Sequence, residues 1–287
     1  MIRPASFWEI NMQSLTLGFS PCPNDTFIFD ALVHNRLGID LSVQERLEDV
    51  ETLNRLVLAG ELDVSKISFH LLGHVRDNYI LLRSGGALGR GCGPLIVARN
   101  HFDIAELPAK RIAIPGRYTT AALLLKLYNP SITDVRIMPF YSIMSAVAAG
   151  EVDAGVIIHE SRFTYASHGL FCLEDLGEWW ERETGHPIPL GGIVARRSLG
   201  LDMIRKIENA IKQSVEYAFS HPNDSLPYIR AYAQEMNETV MRSHIELYVN
   251  QFSVQLGAEG ESAVGDLLAR AQGVGIIPTV TSSLFLP

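Results

Sequence analysis

The sequence predicts an α/β protein built as two similar lobes joined by two extended segments, and three observations carry that prediction. Strand-like and helix-like segments alternate along the first two thirds of the chain. The hexapeptide Ala59-Gly-Glu-Leu-Asp-Val64 recurs as Ala149-Gly-Glu-Val-Asp-Ala154, an offset of 90 residues. The tetrapeptide Ile-Val-Ala-Arg occurs twice, at Ile96–Arg99 and Ile193–Arg196, each time after a Gly-rich approach. Internal repetition of this kind marks a repeated structural unit.

The first unit begins with a strand at Leu15–Phe19, the loop Ser20-Pro-Cys-Pro-Asn-Asp25 and a helix from Thr26 to Leu37. An amphipathic helix follows from Asp49, with Val50, Leu53, Leu56 and Val57 on one face, and the hexapeptide leads into a strand over Asp63–Ser68. The second unit repeats the order: a strand at Arg111–Ile114, a helix from Thr119 to Tyr128, a helical run from Ser142 to Ala149 and a strand over Asp153–His159. Gly60 and Gly150 close their helices in the left-handed conformation expected just past a helix end. Strand–helix–strand order of this kind predicts parallel sheets, whose ligands bind beyond the carboxyl ends of the strands. Loops 20–26, 66–70, 116–121 and 159–162 are therefore the candidate site.

The two tetrapeptides are read as the segments that leave lobe one and return to it, with a hinge near 96–98 and 192–195. Lobe one then comprises residues 12–96 plus 194–287, and residues 97–193 form an inserted lobe two. The tail is helical, with apolar faces at Ile204, Ile207, Ile211 and Val215, around Ile245, Leu247 and Val249, and at Val264, Leu267 and Leu268. These helices are expected to pack on lobe one. Residues 1–11 read as an extension ahead of Met12.

Composition narrows the function classes. The chain has 287 residues, 47% of them apolar, with 24 Lys+Arg against 32 Asp+Glu and a net charge of -8. No basic run is present, so nucleic acid is not an expected partner. The three cysteines, Cys22, Cys92 and Cys172, form no C-x-x-C pair, which suits a reducing compartment and argues against a zinc site. The N-terminus lacks the features of a signal peptide, and no apolar run approaches the ~18 residues of a membrane span. A soluble, cytoplasmic protein with a small-molecule ligand and no membrane partner is expected, while the oligomeric state is left open.

His159 is the sharpest candidate: a histidine at the carboxyl end of a strand can accept a proton near neutral pH. A packing or hinge role is the commoner reading of the residue type, and the place of His159 in the expected cleft is what sets catalysis level with it. Asn24, Asp25 and Thr26, like Thr119 and Thr120, open helices whose free N–H groups can hold an anion while the threonine hydroxyls add donors, although plain capping accounts for them too. Lys66-Ile67-Ser68 ends the other repeated strand. Lys66, Arg117 and Arg162 are the local donors available to an anionic ligand in an acidic protein. His70 and His74, spaced i, i+4, lack a third ligand and read as packing histidines. The Gly-rich stretch 84–94 matches no nucleotide-binding pattern.

Four strings go further: Gly18-Phe-Ser-Pro-Cys-Pro-Asn-Asp-Thr-Phe-Ile-Phe29, Glu48-Asp-Val-Glu-Thr-Leu-Asn54, Arg83-Ser-Gly-Gly-Ala-Leu-Gly-Arg-Gly91 and Ile157-Ile-His-Glu-Ser-Arg-Phe-Thr-Tyr165. From about Leu15 to the C-terminal helices the chain resembles the 1,4-dihydroxy-6-naphthoate synthases of the futalosine route to menaquinone. The resemblance implies a two-lobed fold of the periplasmic-binding-protein type (type II). It also implies a lyase that breaks a C–C bond of cyclic dehypoxanthine futalosine and leaves the aromatic naphthoate, without cofactor or metal. Its catalytic base corresponds to His159, and its ligand contacts to Lys66, Ile67 and Ser68 and to Thr119 and Thr120. Asn24, at the first helix start, completes the expected contacts. The extra residues 1–11 and Tyr118, ahead of the Thr pair, depart from the family's pattern. The competing reading is a non-catalytic binding protein for a small anion, since one architecture serves both.

Overall fold

The computed structural model describes residues 14–233 and 237–287. The expected extension at 1–11 lies outside the described residues. The first unit runs β1 (Leu15–Phe19), α1 (Pro23–Val33), β2 (Val43–Leu47), α2 (Val50–Leu58) and β3 (Val64–Ser68), followed by α3 (Phe69–Val75), β4 (Tyr79–Leu81) and β5 (Ala87–Gly89). The second contains β6 (Leu95–Ala98), β7 (Ile112–Ile114), α4 (Thr120–Tyr128), β8 (Val135–Ile137), α5 (Phe140–Ala149), β9 (Ala154–Ile157), α6 (Ser161–Thr164), β10 (Phe171–Asp175) and α7 (Leu176–Thr184). The chain returns through β11 (Ile188–Arg196) to the helices α8 (Leu201–Ser220), α9 (Leu226–Tyr232), α10 (Glu238–Tyr248), α11 (Gln251–Val254) and α12 (Gly257–Gly273).

Local chemistry explains the element boundaries. Asp49 caps α2, its Oδ1 accepting from Glu51 N at 3.0 Å and Thr52 N at 3.1 Å. Gly60 and Gly150 take φ of +74° and +75°, as their place past a helix end requires. Helix α1 starts three residues earlier than expected because Pro23, with φ fixed and no N–H to satisfy, suits a first helical position. It also stops early, at Val33, two residues before Asn35 turns to φ +50°.

The sheets are mixed rather than parallel. One has the order β2-β1-β3-β11-β4, with β5 also on β11; the other has the order β10-β6-β9-β7-β8. In each, the three strands of the βαβαβ unit pair in parallel: β1 with β2 and β3, β7 with β8 and β9. The antiparallel members come from the tetrapeptides. Ile96 lies opposite Val156 of β9, and Ile193 lies opposite Lys66 of β3. Those two partners are themselves related by the offset of the hexapeptide repeat, so both strings occupy one structural position in the two halves.

This corrects the hinge expected near 96–98 and 192–195. Both strings are buried interior strands: β6 belongs to the second sheet and β11 to the first. The chain crosses between sheets just outside them, between β5 and β6 and between α7 and β11. In the first crossing Gly93 passes Gly177 of α7 so closely that a Cβ on Gly93 would stand 2.3 Å from Gly177 Cα. Only glycine fits.

Helix α8 packs by its expected face, Ile204, Ile207, Ile211 and Val215, into a core shared with β1, α1 and α9. Helix α10 differs: its buried residues are Met241, His244 and Tyr248 rather than a face around Ile245 and Leu247. Helix α12 packs against β11 and α3 but also against α4 of the second unit, so it spans both halves rather than covering one.

Candidate active site

The carboxyl ends of β1, β3, β7 and β9 face one another across a cleft, as parallel strand order dictates. The cavity there has a volume of about 90 Å³ and is lined by residues of both halves, the kind of concave setting in which small molecules bind. Asn24, Lys66, Ile67, Ser68, Thr119, Thr120 and His159 all line it. The structure thus brings these seven residues of the expected site together, but not all of the donors that the sequence offered. Arg117 and Arg162 are not among its walls. Arg162 instead donates to Gly93 O at 2.7 Å and pairs with Asp175 at 2.5 Å, fastening the crossing segment to lobe two.

Lys66 is buried and paired. Its Nζ donates to Asp25 Oδ1 at 3.0 Å and to Gly85 O at 3.1 Å. An ammonium has three donors, so one is left for a ligand. Asp25 also accepts from Ser20 N and Oγ at 3.1 and 2.7 Å and from Asn24 Nδ2 at 2.9 Å. A carboxylate already occupies the first turn of α1, so this helix start is not an open anion site. Asn24 Oδ1, by contrast, is buried without a partner. Ser68 is fixed by Asn54, which accepts from Ser68 N at 3.0 Å and donates to its Oγ at 3.1 Å.

The Thr pair works differently from the expectation of two free hydroxyls. Thr119 caps α4, accepting from Ala122 N at 3.2 Å and donating to Gly116 O at 2.9 Å. Thr120 Oγ1 accepts from Phe69 N at 3.0 Å and donates to Leu190 O, two groups of the opposite half. Glu51 of α2 reaches across as well, accepting from Arg117 N at 2.9 Å and Tyr118 N at 3.2 Å. These bonds hold the two halves together over the cavity.

His159 follows β9 with φ +57°, a left-handed conformation uncommon outside glycine and typical of functional sites. Its ring packs 5.1 Å from Phe140 and stacks at 6.0 Å on His244. Burial lowers its pKa, while the carboxylates of Glu160 and Asp25 act against that shift. The imidazole is therefore neutral at pH 7 and able to accept a proton. Burial raises the Cys92 thiol in the same cavity to about 12, so it is not a nucleophile. His70 keeps to packing: its Nδ1 lies 3.3 Å from Thr119 O, and burial lowers its pKa to about 4.

Nothing in the sequence marks Tyr248 or Asn54 for the cleft, or Glu160 and His244 beside His159, whereas Asp25 belongs to a helix start that it does mark. The spacing of Met241, His244 and Tyr248 was the available signal, but two of the three are polar and so were not read as a buried face.

Fold and cleft together define the class: a two-lobed α/β protein with a cavity between its halves and His159 in its wall. A family profile described as menaquinone biosynthesis matches residues 15–273. A 1,4-dihydroxy-6-naphtoate synthase of Thermus thermophilus is 51% identical over 275 residues, covering 96% of this chain and 100% of the relative. One of Streptomyces coelicolor is 44% identical, covering 94% and 97%. The chain belongs to the menaquinone-biosynthesis family. Among solved structures, an Archaeoglobus fulgidus protein of 34% identity superposes with a TM-score of 0.88 over 93% of this chain and 100% of its own. The alkanesulfonate-binding protein SsuA of Xanthomonas axonopodis pv. citri, 14% identical, superposes at 0.70 over 93% and 94%. The second likeness shows the periplasmic-binding-protein fold alone.

Proposed function

We propose that this protein is a carbon–carbon lyase that converts cyclic dehypoxanthine futalosine to 1,4-dihydroxy-6-naphthoate, with His159 as the general base. The observation that carries the residue assignment is the neutral His159, held at a strained backbone position on the wall of a cavity that both halves close. A base so placed contributes about 100- to 10,000-fold. Once it takes the acidic proton, the C–C bond to the sugar-derived part breaks, that fragment leaves and the bicyclic remainder becomes aromatic.

Binding follows from the donors left unused. The free N–H groups at the start of α4, beside Thr119 and Thr120, suit the substrate carboxylate. The third donor of Lys66 adds to them, and Asn24 Oδ1 is placed to accept from a substrate hydroxyl. Ser68, immobilised by Asn54, shapes the opposite wall with Ile67. Lobe closure through Thr120 and Glu51 excludes water around His159. We divide the lobes at the two crossings, near 90–94 and 185–187, in place of 96/97 and 193/194. Among the described residues no helix is long and apolar enough to cross a membrane, which agrees with the cytoplasmic site we assign to the reaction.

Incubating the purified protein with cyclic dehypoxanthine futalosine and following naphthoate by mass spectrometry tests the proposal. Catalytic appearance of naphthoate is the expected result. Stoichiometric binding without turnover would instead establish the small-anion binding protein.

A further inference from the structure

His159 lines two cavities. Beside the one described, a smaller cavity of about 50 Å³ opens among Cys22, Asp49, Phe140, His159 and Glu160. Here Cys22 Sγ, a His159 ring nitrogen and a Glu160 carboxylate oxygen all lie within 4.8 Å of one another, the one such group found among the described residues. His244 of α10 stands against the same carboxylate, its Nδ1 3.7 Å from Glu160 Oε2. That separation is too long for a hydrogen bond. His244 is 0% exposed, yet neither of its ring nitrogens has a hydrogen-bond partner, and Glu160 Oε2 has none either. Buried polar atoms are nearly always paired. Two of these atoms, Glu160 Oε2 and His244 Nδ1, face each other beside a thiol and a second imidazole, and one ion between them would partner both.

The donor types narrow what that partner is. Thiolate, imidazole and carboxylate together are the ligand set of zinc. Bond lengths of about 2.0–2.3 Å at tetrahedral angles place neighbouring ligand atoms roughly 3.3–3.6 Å apart. The Glu160–His244 separation already fits a bridged pair, and the widest separation in the group needs side-chain movement of about 1 Å. Charge agrees as well: a Cys22 thiolate and the Glu160 carboxylate balance a doubly positive ion where uncompensated charge is costly. Burial and the Glu160 carboxylate hold the free Cys22 thiol well above its ordinary pKa, so the thiolate forms only as the ion displaces its proton.

We propose that Cys22, His159, Glu160 and His244 form a binding site for Zn²⁺, occupation of which takes the His159 nitrogen out of the cleft chemistry. On binding, the Cys22 thiol gives its proton to solvent and an S–Zn bond forms. The binding part of the proposal stands on the geometry alone; the inhibitory part rests on His159 being the base.

Titration of the full-length protein with Co²⁺ as the probe, followed by competition with Zn²⁺, tests it. The expected result is one equivalent bound, with a sulfur-to-cobalt charge-transfer band in the near ultraviolet and the visible bands of four-coordinate cobalt, all displaced by Zn²⁺. Cys22→Ser should abolish the charge-transfer band and weaken Zn²⁺ binding at least ~10-fold, whereas Cys172→Ser, at the half-buried thiol, should keep both. His244→Asn, checked for an unchanged melting temperature in chelator, should weaken Zn²⁺ binding with the charge-transfer band retained. Absence of the band, its survival in Cys22→Ser, or its loss in Cys172→Ser would overturn the site. In the naphthoate assay, Zn²⁺ should inhibit the parent, chelator should restore it, and full activity with the site loaded would overturn the inhibitory part. Lack of turnover in metal-free protein would count against the lyase reading instead, and the cobalt spectrum would still decide the site.

Discussion

Replacing Thr120 with Val removes one hydroxyl and keeps the shape of the side chain. In the closed structure that hydroxyl serves two groups of the opposite half, the amide of Phe69 and the carbonyl of Leu190. Thr120 is 4% exposed, so neither partner finds water in its place. A net hydrogen bond is worth about 0.5–1.5 kcal/mol, and a buried group left unpaired costs more. Two lost bonds therefore disfavour closure by about 2 kcal/mol, roughly a 30-fold shift of the open–closed equilibrium at 1.4 kcal/mol per tenfold. In the open state both partners are hydrated, so overall stability should change far less. Thr120→Val is expected to lower kcat/KM for the futalosine substrate roughly 30-fold with a nearly unchanged denaturation midpoint, and Thr120→Ser to recover most of it. A kcat/KM within twofold of the parent would refute the closure argument.

Three further outcomes follow from the same structure. His159→Asn, which tolerates the positive φ, should fold with a parent-like melting temperature and lose about 100- to 10,000-fold in kcat; parent-like turnover would remove His159 from the chemistry. Lys66→Met leaves the Asp25 carboxylate buried without its cation and should cost about 3–5 kcal/mol in denaturant unfolding. Adding Asp25→Asn to it should return part of that loss, and equal midpoints for parent and Lys66→Met would rule the argument out. For His70, which faces His74, Tyr118 and Lys126, burial puts the folded pKa at about 4 against 6.5 unfolded. Between those values the unfolded chain binds more protons, so stability falls as pH drops from 6.5 toward 4, by ~3 kcal/mol in total. His159 and His244 are shifted in the same direction by burial, so the comparison is parent against His70→Gln: the variant should lose this share of the acid sensitivity, and superimposable pH–stability curves would exclude it.

The βαβαβ units were legible because their signals are local: capping Asp49, glycines past helix ends, and alternation of apolar runs. The residues at the carboxyl ends of those strands were legible for the same reason, and they are the ones that meet in the cavity. What stayed hidden depends on distant partners. Nothing in Ile193–Arg196 itself says that it lies antiparallel to β3, so the tetrapeptides read as connectors rather than as matching interior strands. His244 and Tyr248 were passed over because a helix face is recognised by apolar spacing, and a site is where that rule gives way. The open hydroxyls expected at Thr119 and Thr120 were a similar case: only the folded chain shows that both are already engaged.

The shared position of β6 and β11 also dictates an order of events during synthesis. The second sheet is complete once β10 has been made, because all of its strands are consecutive in the chain. The first sheet must wait, with β3 lacking its neighbour on one side, until β11 emerges after the whole of the second. Pairings of such long sequence separation are the slow ones to form. On the ribosome, then, the half that carries His159 is finished first, and the half that carries Lys66 and Ser68 assembles against it.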